Sequence, residues 1–100
     1  MDDGAFQWDD AKAAANYGKH GVRFEADRDV FNDPFALDWA DDGQDEGDQR
    51  FATVGMVEGR LLFVAYTMRG DAIRIISARL PEAFERRRYH EENKASLDPR

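Results

Sequence analysis

Cysteine is absent from the 100 residues, which excludes disulfides and thiolate chemistry. Histidine is scarce: His20 and His90 stand far apart, without the spacing of a zinc site. No apolar run approaches the roughly 18 residues that span a bilayer, so no membrane association is expected. Met1-Asp2-Asp3-Gly4 lacks the basic and apolar regions of a signal peptide, and a cytoplasmic location is expected. Rossmann, P-loop, HExxH and GxSxG patterns are missing, as are internal repeats. A chain of this length forms one core and is too small for most cofactor-dependent folds; no cofactor is expected.

Positive charge is also in short supply, with a net charge of -7. That average argues against a polyphosphate partner, but it hides an asymmetry. Residues 1–49 hold 4 basic and 14 acidic side chains, whereas residues 50–100 hold 10 basic and 7 acidic ones. Eleven of the 14 basic residues are arginines, which suit bidentate contact with phosphate or carboxylate. A basic face can therefore exist on an acidic chain.

What the chain does have is an apolar hairpin. Leu61–Thr67 and Ala72–Ala78 are runs of β-branched, aromatic and other apolar residues. Met68-Arg69-Gly70-Asp71 supplies a turn in which Gly70 can take positive φ. Strict alternation places Ile73, Ile75 and Ser77 on one face and Arg74, Ile76 and Ala78 on the other, with Arg79 opposite Arg74. Arg50–Val57 adds a strand through Glu58-Gly59, and Phe35–Ala40 alternates as an edge strand.

Around this sheet the sequence predicts three helices. Phe6-Gln7-Trp8 is an extended apolar lead-in, and Asp9-Asp10 caps a helix over Ala11–His20 that Gly21 ends. Phe24–Phe31 forms a second short helix, stopped by Pro34. Pro81, Glu82 and Glu85 open a third, running to about Asn93, with Phe84 and Arg88 toward the body of the protein. The expected fold is α+β: a four-stranded, mainly antiparallel sheet with two N-terminal helices and one C-terminal helix. Residues 1–93 form a single domain and 94–100 a flexible tail. Asp41–Gln49 carries five carboxylates without the spacing of an EF-hand, and it reads as a solvated loop rather than a metal site.

The order FxWDxxKxxxNxxKHGVxF, VFxDPxAL, an acidic loop before RFxTVG, GRLLFVxYTxRGDxIRIISAR and a closing ERRRY resembles the BrnT family of type II toxin-antitoxin toxins, from Phe6 to about Tyr89. The resemblance implies a RelE-like ribonuclease toxin. Its partner would be a BrnA-type antitoxin with a ribbon-helix-helix DNA-binding part, through which operator DNA is contacted only indirectly. The matching positions include Trp8, Asp10, Lys12, Asn16, Lys19, His20, Gly21, Arg50, Thr67, Arg69, Arg74, Ser77, Arg79, Glu85, Arg86 and Tyr89. Many relatives carry a His-Ser or similar pair in the loop before the Arg50-Phe51 strand. Here Gln44 to Asp48 contain no histidine.

Metal-independent RNA cleavage uses the ribose 2′-OH as nucleophile, and it needs a base, cations for the phosphorane-like transition state and an acid for the leaving oxygen. The expected catalytic set is Lys19, His20, Arg74, Arg79 and Tyr89, with no metal. In it Arg74 and Arg79 form the cationic clamp and His20 or Lys19 handles protons. Arg69, Arg86 and Arg88 are the expected RNA-binding residues. Structural alternatives stand beside each role. Lys19 and His20 suit the helix C-terminal dipole, Arg79 and Arg86 can pair with Glu82 and Glu85, Tyr89 can simply pack, and Trp8 and Trp39 suit the core. Two functions remain open: an RNA-cleaving toxin that arrests translation, or a protein-binding module that holds a basic partner against the acidic half.

Overall fold

The computed structural model describes residues 1–41 and 49–93. Along the chain run β1 (Phe6–Gln7), α1 (Asp10–His20), α2 (Phe24–Val30), β2 (Leu37–Asp41), β3 (Arg50–Val57), β4 (Arg60–Arg69), β5 (Ala72–Arg79) and α3 (Ala83–Glu92). The strands form one sheet in the order β1-β5-β4-β3-β2. The α+β class and the three helices are as expected, but the sheet has five strands rather than four. The added one is β1, which pairs parallel to β5 through Phe6↔Ile73 and Gln7↔Arg74. Two residues are too few to show the alternation that marks a strand. The acidic loop and the C-terminal tail fall largely on residues 42–48 and 94–100, outside the described residues.

The apolar face of each helix settles the layering. On one side of the sheet Trp8, Val22, Phe24 and Val30 pack with Leu62, Val64, Ile75 and Ala78. Helices α1 and α2 cover that side. On the other side Tyr89 of α3 packs with Ala52, Val54, Leu61, Phe63 and Ala65. Glu58 and Gly59 both have positive φ, 50° and 81°, the geometry of a primed hairpin turn between β3 and β4. Gly55 marks a close approach. A Cβ there would lie 2.8 Å from Val30 Cγ1, so α2 can cross β3 only over a glycine.

Strict alternation fails in β5. The pairing with β4 steps from Ala65↔Ser77 to Tyr66↔Ile75, so Ile76 is an extra residue, a β-bulge. A bulge reverses the parity of everything beyond it. Arg74 lies opposite Thr67 and Arg79 opposite Phe63, and those two β4 residues share a face. Arg74 and Arg79 therefore both lie on the α3 side, not on opposite faces as the sequence suggested. The orientation of α3 also differs from expectation. Its inward residues are Glu85 and Tyr89, while Phe84 is 52% exposed. Polar fastenings of Glu85 and Tyr89, described below, override the apolar preference of Phe84.

Asp27 of α2 is wholly buried. Neither of its carboxylate oxygens has a hydrogen-bond partner among the described residues, and nor does Thr53 Oγ1. Burial, reinforced by the charge of Glu25, pushes the Asp27 carboxyl up to about 8 from 3.8. The folded protein thus holds a proton that the unfolded chain releases above about pH 4, and its stability falls as pH rises through that window. Asp27→Asn is expected to flatten this dependence. At pH 8 it should raise stability by about 2 kcal/mol or more, because each tenfold change in proton affinity is worth about 1.4 kcal/mol. Urea unfolding midpoints measured from pH 5 to 8 check the outcome.

Candidate functional site

The last turn of α1 is held at both ends of the helix. Asp9 caps the start by accepting from the Lys12 N–H at 3.0 Å. Gly21, at φ 69°, ends it with its N–H on the Tyr17 carbonyl. Between them Asn16 points inward and is buried. Its Nδ2 donates to the carbonyls of Val22 (3.2 Å) and Ala78 (2.9 Å), and its Oδ1 accepts from the Ala78 N–H at 3.1 Å. β1 covers the edge of β5 only at Ile73 and Arg74. Further along that edge, the Asn16 carboxamide supplies the hydrogen bonds a neighbouring strand would otherwise make.

This fastening brings α1 against the end of β5. The result is a cleft of about 380 Å³ lined by Lys19, His20, Arg79, Leu80 and Glu82. Two segments 60 residues apart in sequence thus place their basic groups on one opening. Among the described residues no cluster of three or more His, Cys, Asp or Glu is placed to hold a metal ion.

Arg79 is not a loose cation. Its guanidinium makes a two-pronged pair with Glu85, Nη1 to Oε1 at 2.9 Å and Nη2 to Oε2 at 3.0 Å, and Nη1 also donates to the Leu80 carbonyl. It lies 3.8 Å over the Phe63 ring. Glu85 is itself buried, and its Oε1 accepts the Glu82 N–H at 2.7 Å. The reciprocal Glu82 contact completes a capping box at the start of α3. Three of the five guanidinium N–H groups are used by these bonds. Charge within the cleft is nearly balanced: Lys19 and Arg79 line it together with Glu82, and Glu85 pairs with Arg79.

The other expected residues lie elsewhere. Arg74 is five residues before Arg79, about 16 Å along an extended strand, and its Nη1 reaches Gln7 Oε1 at 3.4 Å. It does not join Arg79 in one clamp. Arg69 is exposed at the end of β4. Arg86 Nη2 donates to the Pro81 carbonyl at 3.2 Å, and Arg88 lies 5.4 Å over the Trp39 ring. Tyr89 is buried, and its hydroxyl donates to Asp33 Oδ2 at 2.7 Å. Burial and then the Asp33 contact push the Tyr89 hydroxyl up to about 12. Burial alone would raise Asp33, but hydrogen bonds from the Met56 and Phe35 N–H groups and from Tyr89 outweigh it and hold this carboxyl below its usual range. Trp8 is buried and Trp39 half-buried.

Sequence reasoning named Asn16 only as a position matching the family pattern and Glu82 only as a helix-start and ion-pairing residue, and it assigned no role to Leu80. For Asn16 a signal existed: an amide one turn before His20, in a helix whose other central residues are mostly alanine. Nothing local marked Leu80. The Pro81-Glu82 helix start was visible, but its proximity to α1 was not.

Two comparisons bear on this arrangement. A family model for the ribonuclease toxin, BrnT, of type II toxin-antitoxin systems matches residues 8–85. That span contains every residue of the cleft. No curated protein matches the chain.

Removing the Asn16 carboxamide leaves the Ala78 N–H and carbonyl unpaired inside the protein. Asn16→Ala is expected to cost about 2–6 kcal/mol, at about 1–3 kcal/mol for each unsatisfied group. Guanidinium unfolding checks this. Amide exchange at Ala78 is expected to accelerate more than exchange in β3.

Proposed function

From the premise that the chain belongs to the BrnT family of ribonuclease toxins of type II toxin-antitoxin systems, we propose that it cleaves RNA at the cleft of Lys19, His20 and Arg79. The observation that carries this reading is the meeting of the α1 C-terminal turn with the end of β5. In the proposed reaction His20 takes the proton of a ribose 2′-OH. The 2′-oxygen attacks phosphorus, the bond to the 5′-oxygen breaks, and a 2′,3′-cyclic phosphate forms. Lys19 donates a proton to the departing 5′-oxygen. Arg79 acts as a fixed hydrogen-bond donor to the phosphorane oxygens rather than as a free charge, because Glu85 already balances it.

The remaining basic residues take lesser parts in this proposal. Arg69, Arg74, Arg86 and Arg88 steer the RNA backbone from outside the cleft. Tyr89 holds α3 to the sheet through Asp33 and takes no proton-transfer role. The reaction runs through side chains without a metal. A type II toxin has an antitoxin partner. We propose a BrnA-type protein with a ribbon-helix-helix part, touching operator DNA on the toxin's behalf and covering the α3 side of the sheet. Cleavage in the cytoplasm arrests translation.

One observation favours a second reading, a binding module with little catalysis: the pairing of Arg79 with Glu85 leaves the cleft without a strong positive field. The two are separated by experiment. Protein free of antitoxin, incubated with RNA in EDTA, is expected to release fragments ending in 2′,3′-cyclic phosphate. His20→Ala should lower the rate about 100-fold or more, and Tyr89→Phe should leave it within about threefold while costing about 1 kcal/mol of stability. Glu85→Gln distinguishes a held Arg79 from a masked one. Slower cleavage supports the fixed donor, and faster cleavage shows that Glu85 merely screens it. Intact RNA from folded protein, with unimpaired growth on expression of the chain alone, favours the binding module.

A further inference from the structure

A second hollow, of about 350 Å³, lies between α1 and the start of α2. Its walls include Trp8, Asp10, Tyr17, Arg23 and Glu25. Trp8 is buried, with its ring edge-on to Phe24 at 5.8 Å, so it closes the hollow without being a loose surface group. Tyr17 is different. It is 46% exposed, on a helix face it shares with Asp10, Ala13 and Ala14, and belongs to neither core cluster. The Arg23 guanidinium lies 4.5 Å over its ring. A planar cation and a planar ring held together at a surface form a stacking platform. Beside them is Glu25, exposed in the first turn of α2.

The platform and the cleft share one turn of helix. At about 100° and 1.5 Å per residue, His20 is about 60° around α1 from Tyr17 and about 4.5 Å farther along it. One nucleotide can thus set its base against Tyr17 while its phosphate lies toward His20. The acidic character of the hollow discriminates between bases. Carboxylates reject phosphate but accept hydrogen bonds from a base edge. Guanine alone presents two neighbouring donors, N1–H and the exocyclic N2 amine, in the geometry that a carboxylate accepts. Adenine and cytosine place a ring acceptor beside their amine, and uracil flanks its N–H with two carbonyls.

We propose that this hollow is a guanine-binding subsite, in which the base stacks at Tyr17 and Arg23 and its Watson–Crick edge is read by Glu25. The subsite sets where RNA is cut, a role that rests on the proposed ribonuclease activity. Binding of the base itself does not.

Two measurements test it. Amide NMR spectra titrated with guanosine 5′-monophosphate are expected to shift at Tyr17, Arg23 and Glu25 at about tenfold lower concentration than with adenosine 5′-monophosphate. Glu25→Gln should erase that difference, Tyr17→Ala should weaken both nucleotides, and Asp29→Asn on the outer face of α2 should change neither. In mapped cleavage products, guanine should be enriched at one fixed offset from the cut, and Glu25→Gln should remove the enrichment. Nucleotide titrations that leave residues 10–25 unmoved, or that treat the two bases alike, overturn the subsite even if RNA is cleaved. So does a Tyr17→Ala variant whose only defect is in antitoxin binding, which would make the hollow a protein contact. Selective guanosine binding without RNA cleavage overturns the ribonuclease reading and leaves the subsite standing.

Discussion

The carboxamide of Asn16 is the constraint on which the candidate site depends. It satisfies both backbone groups of Ala78 at an uncovered stretch of sheet edge, and it accepts no substitute from water because it is buried. The same amide takes the Val22 carbonyl just beyond the α1 stop. Helix end, following loop and strand end are thereby fixed relative to one another. Lys19 and His20 are exposed because their position one turn from Asn16 is determined from below. A site assembled in this way tolerates surface variation in α1 but not a change in how that helix meets β5.

A second fastening works on the opposite side of the cleft. Glu85 holds Arg79 with two hydrogen bonds and the Glu82 N–H with a third, so the start of α3 and the end of β5 form one rigid corner. Burying Glu85 would be costly if it were unpaired, and the guanidinium removes that cost. The consequence for chemistry is a trade. Arg79 loses most of its long-range field but gains a fixed orientation over Phe63. Directional hydrogen bonding then matters more than net charge, which fits a protein whose overall charge is negative.

Much of this was legible in the residues. The apolar runs of β3, β4 and β5, the alanine-rich α1 with its Asp9 cap and Gly21 stop, and the Pro81-Glu82 start of α3 are local signals, and each marks a real element. What failed was parity and rotation. Ile76 looks like any other β-branched strand residue, and only the Ala65↔Ser77 to Tyr66↔Ile75 step reveals it as a bulge. With that residue uncounted, Arg74 and Arg79 are assigned to different faces. Likewise Phe84 reads as the buried side of α3, because periodicity cannot see Asp33 waiting 56 residues earlier for the Tyr89 hydroxyl. Lys19, His20 and Arg79 were recognisable as candidates. That they line one opening depends on Asn16 and Ala78, a contact across 62 residues.

The uneven treatment of carboxylates is compatible with the RNA site proposed on so acidic a chain. Asp33 and Glu85 are enclosed by donors, so their charges are spent inside the fold. Asp27 meets no hydrogen-bond donor among the described residues and carries a proton instead of a charge. These three groups therefore contribute little field at the surface, and the formal count overstates how strongly the folded protein repels phosphate near them. Of the carboxylates that face solvent here, Glu82 lines the cleft itself, while Glu25 and Asp10 line the hollow proposed for the uncharged part of a nucleotide. The proposal leaves the backbone charge to Lys19 and His20, one turn away. In the proposed division of labour, selectivity for a base and tolerance of a phosphate come from adjacent faces of one helix end. On that proposal, the negative first half of the chain chooses the substrate rather than excluding it.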